Sequence, residues 1–111
     1  MQKKIKDNNS ESSWQHPGGK LVELGADKLS DTELISILIG TGTKGKSAEE
    51  IAKEIMRKFG GYRGLAGQRL DRLLEFKEMG DVKIIRIAAA LEIARRIVQQ
   101  VLEKEREQSQ K

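Results

Sequence analysis

Apolar residues in this chain fall into blocks spaced three and four apart, the period of helices with one buried face, and glycine-rich breaks separate the blocks. Leu21, Val22 and Leu24 predict a short helix over residues 19–24, stopped by Gly25. Leu34, Ile35, Ile37, Leu38 and Ile39 form a denser block whose β-branched content would also suit a strand. The preceding Ser30-Asp31-Thr32-Glu33 decides for helix, because a serine and a glutamate three apart satisfy each other's backbone donors. Ser47-Ala48-Glu49-Glu50 is a second such box. It opens a helix with Ala48, Ile51, Ala52, Ile55, Met56 and Phe59 on one face. Gly60-Gly61 ends that helix, and residues 62–66 read as a turn or a short helix. Leu70, Leu73, Leu74 and Phe76 make the buried side of the next one. Asp81 is suited to N-cap the longest helix, whose stripe is Ile84, Ile87, Ala88, Leu91, Ala94, Val98 and Val101. Ala88, Ala89, Ala90 and Ala94 near its middle allow neighbouring helices to come close.

The pattern predicts one all-α domain of about five helices over residues 17–103. Polar residues 1–16, with a lone Ile5 and Trp14, read as a mobile tail, and the charged residues 104–111 as a frayed end. Aromatics are only 4% of the chain, so the core has to be aliphatic. There is no cysteine, and His16 is the single histidine, which excludes disulfides, thiolate metal sites and multi-histidine centres within these residues. No serine or threonine has a histidine base in the expected core, and no carboxylate pair stands out. No catalytic residue, metal or cofactor is therefore expected. The N-terminus lacks an apolar signal-like run, and no apolar stretch approaches the ~20 residues a membrane span needs. A cytoplasmic protein without membrane contact is expected. Net charge is +4 and the sequence pI about 9.4, which permits an anionic partner without requiring one.

One spacing occurs twice. Ile35-Ser-Ile-Leu38-Ile-Gly40-Thr41-Gly42 recurs in weaker form as Leu73-Leu-Glu-Phe76-Lys-Glu78-Met79-Gly80, and each copy runs into a helix. A tight turn ahead of a helix gathers backbone N–H groups on one surface, where the helix dipole favours negative charge. The pair suggests two phosphate seats. The first would use Gly40, Thr41, Gly42, Thr43, Lys44 and Lys46, the second Gly80, Lys83 and Arg86. Glu78 opposes phosphate approach at the second turn, and a non-glycine there threatens strain. Plain helix connections with solvated lysines would give the same sequence, so both readings stand. Arg57, Lys58, Arg63, Arg69 and Arg72 either extend a basic face or flank a buried stripe, and Arg95-Arg96 either bind phosphate or pair with Glu92.

Residues 40–47 also satisfy G-x-x-x-x-G-K-[ST], the phosphate loop of many NTPases. That loop needs a parallel sheet and an acidic residue ending a second strand to help hold Mg²⁺. Everything after Ser47 reads as helix, so the match is treated as coincidental.

The chain resembles the N-terminal domain of the bacterial RadC family, also called UPF0758. The resemblance is carried by Pro17, Lys20-Leu21, Gly25-Ala26, Leu29-Ser30-Asp31, Glu33-Leu34, Gly40-Thr41-Gly42-Thr43, Lys46-Ser47, Phe59-Gly60-Gly61 and residues 89–96, in the family's order. It implies a helix-hairpin-helix domain that precedes a JAB/MPN-type metallohydrolase domain in full-length members, under a family name taken from an early link to DNA repair. The family's second hairpin reads Gly-Ile-Gly where this chain has Glu78-Met79-Gly80, so the second unit is degenerate. Residues 17–20 replace a more basic stretch. The function implied is weak, sequence-independent binding of the DNA backbone. The alternative is a protein-interaction module that positions a JAB/MPN-type domain.

Overall fold

Six α-helices and a single-turn 3-10 segment make up residues 17–109, the part described by the computed structural model. Helix α1 (Pro17–Leu24) leads through the 3-10 turn (Ala26–Lys28) to α2 (Asp31–Ile39). Then follow α3 (Ala48–Phe59), α4 (Tyr62–Ala66), α5 (Leu70–Leu74) and α6 (Asp81–Ser109). Among the described residues there is no strand, only an isolated antiparallel bridge between Thr43 and Lys46. The all-α expectation holds, and the chain segment with mixed character, α2, is helical.

Both capping boxes form. The Ser30 hydroxyl accepts from the Glu33 N–H at 3.1 Å and the Glu33 carboxylate accepts from the Ser30 N–H at 2.9 Å. The corresponding distances for Ser47 and Glu50 are 3.1 and 2.8 Å. Glu33 also takes the Lys20 ammonium at 3.2 Å, tying α1 to α2. That tie and the fixed φ of Pro17 at the first helical position explain why α1 starts at Pro17, two residues before the expected start at residue 19. The Ser30 backbone N–H, helped by Lys20, holds the Glu33 carboxyl below its ordinary range against the opposing effect of partial burial. A carboxyl lowered in the folded state stabilises above its unfolded pKa, and that contribution disappears as pH falls through the folded value. The unfolding temperature is therefore expected to drop as pH falls below 4.5. Glu33→Gln should flatten part of that slope in a series of melts at stepped pH.

The core is aliphatic, as the composition requires. Ile39, Ile51, Ile55, Leu65, Ile84 and Ile87 are fully buried and come from α2, α3, α4 and α6. Leu73 and Phe76 complete it from α5 and the turn that follows, with Met79. Phe76 is buried although α5 stops two residues earlier, because a turn closed by its N–H on the Leu73 carbonyl folds it inward. Ser36, the one buried polar residue among those described, donates to the Glu33 carbonyl at 2.6 Å.

Three expectations about α6 need correction. Asp81 is its first residue, not its cap. The Gly80 carbonyl accepts from the Ile84 N–H at 3.4 Å and so begins the helix, while Asp81 faces Lys77 at 3.5 Å. The charged stretch expected to fray is helical through Ser109, in keeping with the good helix propensity of its Glu, Lys, Arg and Gln residues. The stripe on α6 is buried only as far as Ile87, half-buried at Ala88 and Leu91, and exposed at Ala94, Val98 and Val101. A radius of gyration of 17.2 Å, against about 13 Å for a compact domain of this length, reflects that overhang. Residues 1–16, including Trp14 and His16, lie outside the described residues, as do residues 110–111.

Candidate functional site

The two repeated turns join α2 to α3 and α5 to α6, and the fold brings them side by side. Ile35 and Leu73, equivalent in the repeat, are both buried. The equivalence breaks at the turn centres, where Thr41 is exposed and Met79 is buried. The first turn is therefore the one that faces solvent along its whole length, from Gly40 to Gly45.

Its shape comes from a close approach at Gly42. A Cβ built there would lie 2.1 Å from the Lys46 carbonyl oxygen and 2.8 Å from the Ala48 nitrogen. The loop therefore folds back onto the start of α3, and Lys46 N–H donates to the Thr43 carbonyl at 3.1 Å. Among the described residues, the N–H groups of Thr41, Gly42, Lys44 and Gly45 donate to no protein acceptor. The sequence pattern pointed to Thr41, Gly42 and Lys44 for this seat but not to Gly45, and two other amides it pointed to, those of Gly40 and Lys46, are spent on the Ser36 and Thr43 carbonyls. Lys44 is exposed and has no ion-pair partner among the described residues.

Two lysines join the turns. The Lys83 ammonium, in the first turn of α6, donates to the carbonyl of Thr41 and lies 3.3 Å from its hydroxyl. Lys46 reaches the other way, 2.7 Å from Glu54 on α3 and 3.0 Å from Glu78 on the second turn. Those carboxylates, Glu54 before Glu78, raise the Lys46 pKa. Lys46 thus acts as a strut between carboxylates, and its charge is offset. Lys83 meets no carboxylate among the described residues and lies next to the exposed loop, with Arg86 one helical turn further along the same face of α6. Arg86 is exposed and unpaired among the described residues.

Glu78 does not behave as its sequence position suggests. No non-glycine residue among those described has a positive φ, so a glutamate here strains nothing; Gly80 alone in this turn is left-handed, at φ 85°. Its carboxylate is neutralised by Lys46 instead of standing free against an anion. Nothing in the sequence announces that pairing, because its partners are 32 residues apart. The same holds for Lys83 and Thr41, 42 apart.

Four of the other basic residues are engaged, whereas Arg57, Lys58 and Arg63 are exposed with no ion-pair partner among the described residues. Arg95 and Arg96 both hold Glu92, at 2.9 and 2.8 Å, and their guanidinium groups, Arg95 before Arg96, depress its carboxyl to about 2. Arg72 pairs with Glu75 at 3.2 Å and Arg69 with Asp71 at 3.4 Å. Among the described residues no group of three His, Asp or Glu side chains is placed to hold a metal. No helix among them is long and apolar enough to cross a membrane. The NTPase resemblance finds no parallel sheet around residues 40–47, and its lysine is held by two glutamates.

The profile of the family described as UPF0758 N-terminal matches residues 9–85. A UPF0758 protein of Marinomonas sp. (strain MWYL1) is 37% identical over 91 residues, 82% of this chain and 41% of the relative. Those of Halorhodospira halophila and Geobacillus kaustophilus are 40% and 41% identical over 87 and 83 residues. These alignments cover 76% and 75% of this chain, and 39% and 37% of the relatives. The chain thus spans about two fifths of the length of the curated relatives it matches. No solved structure matches it significantly. With the profile match over most of the helical domain, the chain belongs to the UPF0758 (RadC) family and corresponds to its N-terminal domain.

Proposed function

We propose that this domain is a non-catalytic, cytoplasmic binder of the DNA backbone that grips phosphates without reading bases. The observation that carries the reading is the set of four unspent N–H groups, on Thr41, Gly42, Lys44 and Gly45, in an exposed loop with Lys83 beside it. Backbone amides and lysines are the donors that position proteins on phosphates. Lys44, Lys83 and Arg86 supply the displaceable charge, while Lys46 serves the loop's shape more than the ligand. Gly40, Thr43 and Gly80 shape the two turns.

Three phosphate contacts predict non-specific affinity of about 10⁻⁴ to 10⁻⁶ M and a log–log salt slope near about −3. Lys44→Ala should weaken binding to all sequences alike and reduce that slope by about 1. Fluorescence anisotropy with a short labelled duplex over a salt series measures both. Amide shifts on titration should cluster at residues 40–46. A flat salt response, or no binding at low salt, rejects the reading.

The alternative, a module that positions a JAB/MPN-type domain, draws on the relatives being more than twice as long as the aligned region. It predicts a complex with that separately expressed domain and no measurable affinity for DNA.

A further inference from the structure

We propose that α6 is a self-association element: the exposed ridge of its C-terminal half lies in an apolar groove of a second copy of this chain, reciprocally about a two-fold axis. The inference is independent of the phosphate reading and rests on the opposite end of α6. Past Leu91 this helix has no core beneath it, and Ile93, Ile97, Val98, Val101 and Leu102 are between 51% and 60% exposed. Isolated exposed aliphatics are ordinary, but five within ten residues of one helix form a contiguous patch of the sort that marks an interface.

The five divide into two sets. Val98 and Leu102 form part of one wall of a groove of about 820 Å³, whose other wall is Leu38, Leu65, Leu70 and Leu73. Ile93, Ile97 and Val101 do not line it. They follow one another at four-residue spacing, about 100° around the helix from Val98 and Leu102, and form a separate ridge. Each molecule therefore carries an unfilled groove and an uncovered helical ridge.

A helix-in-groove fit is the normal solution for such a pair. A foreign helix in the groove would leave the ridge of α6 in water. A second copy covers both, because a two-fold interface repeats each contact with the roles exchanged. Ala94, beside the ridge, lets the helices approach closely. Covering two ridges and two grooves buries on the order of 1,000 Å² or more, which clears the lower limit for a specific interface. The net charge of +4 on each copy opposes the pairing, so added salt should strengthen it, the reverse of its effect on DNA binding.

Sedimentation equilibrium on the 111-residue chain tests the proposal. The expected result is a mass rising from 12.5 kDa towards twice that value by about 100 μM, with no loss at higher salt. Ile97→Glu on the ridge and Leu70→Glu on the groove wall should each weaken the dimer at least about tenfold. Both side chains are about half exposed, so helical circular dichroism and the melting temperature should stay close to wild type. A folded chain that remains monomeric throughout overturns the proposal and leaves the face to another partner, such as the rest of a longer UPF0758 protein. A dimer that survives both substitutions, or dissociates as salt rises, overturns it too.

Discussion

Gly42→Ala is expected to open the loop between α2 and α3, costing about 2–4 kcal/mol. The three nearest atoms to the new methyl are the Lys46 carbonyl oxygen, the Ser47 carbonyl carbon and the Ala48 nitrogen, at 2.1, 2.7 and 2.8 Å. All three are backbone, so no rotamer change gives relief and the loop has to lift away from the start of α3. Lifting it breaks the Lys46 N–H bond to Thr43 and displaces the Lys46 ammonium from Glu54 and Glu78. The Ser47–Glu50 box directly follows and is drawn into the same shift. Gly45→Ala is the matched control: its φ of 93° is unfavourable for alanine, but nothing lies within 4 Å of the added carbon, so about 1–2 kcal/mol is expected. Thermal melts of the two variants should separate them clearly, with Gly42→Ala melting roughly 10 °C or more below wild type. In a DNA titration, Gly42→Ala should also scatter the amide shifts that wild type concentrates at residues 40–46. Equal stability of the two variants would show that the loop is not folded back on α3.

The periodicity carried most of the fold because its signals are local. A serine three residues before a glutamate forms its box within one turn, and both boxes sit where the pattern located them, at Ser30 and Ser47. Burial at Ile51, Ile55, Ile84 and Ile87 follows from the same three-and-four spacing. What the pattern could not supply depends on contacts between distant segments. Lys46 reads as a phosphate ligand in any motif search, yet two carboxylates from different elements claim it. Glu78 reads as repulsive until its counterion is known. The first helix reads as starting at residue 19, whereas it starts at Pro17, where the fixed φ of proline and the Lys20–Glu33 pair offset the low helix propensity of Gly18 and Gly19.

The candidate site divides in the same way. That residues 40–46 form an exposed glycine turn ahead of a capped helix was legible, since turn chemistry is local. That Lys83 comes to Thr41 was not, because it depends on how α6 crosses the α2–α3 pair. The joined turns have a physical consequence. Lys83 anchors the loop by its carbonyl side, through Thr41, and the neighbouring N–H groups are left unspent. A cation that binds the carbonyl side of a loop also biases its amide side toward anions.

Gly64→Ala should be more damaging even than Gly42→Ala, and its position carries no sequence signal. A Cβ at residue 64 would fall 1.4 Å from the Phe59 carbonyl oxygen and 2.5 Å from its carbon. The shorter distance is that of a covalent bond, so α4 has to move bodily off the end of α3. The corner between them resists. The N–H groups of Gly60 and Gly61 both donate to the Met56 carbonyl at 2.9 Å, and Leu65, the next residue, is fully buried. Moving α4 outward pulls Leu65 from the core, which alone forfeits about 1.5–3 kcal/mol of burial, in addition to the broken corner. A total loss of at least about 3 kcal/mol is expected, a large share of the roughly 5–15 kcal/mol that holds a typical domain together. Thermal melts should show it as a fall of about 12 °C or more. Gly67→Ala gives the contrast: its nearest neighbour, the Arg63 carbonyl oxygen, is at 3.5 Å, an ordinary contact, and its φ is −87°. Alanine there should be neutral or slightly stabilising, because it restricts the unfolded chain without straining the folded one. Two glycines three residues apart, alike in the pattern, should thus differ by about 12 °C or more; a Gly64→Ala chain as stable as wild type would refute the seating of α4 on the end of α3.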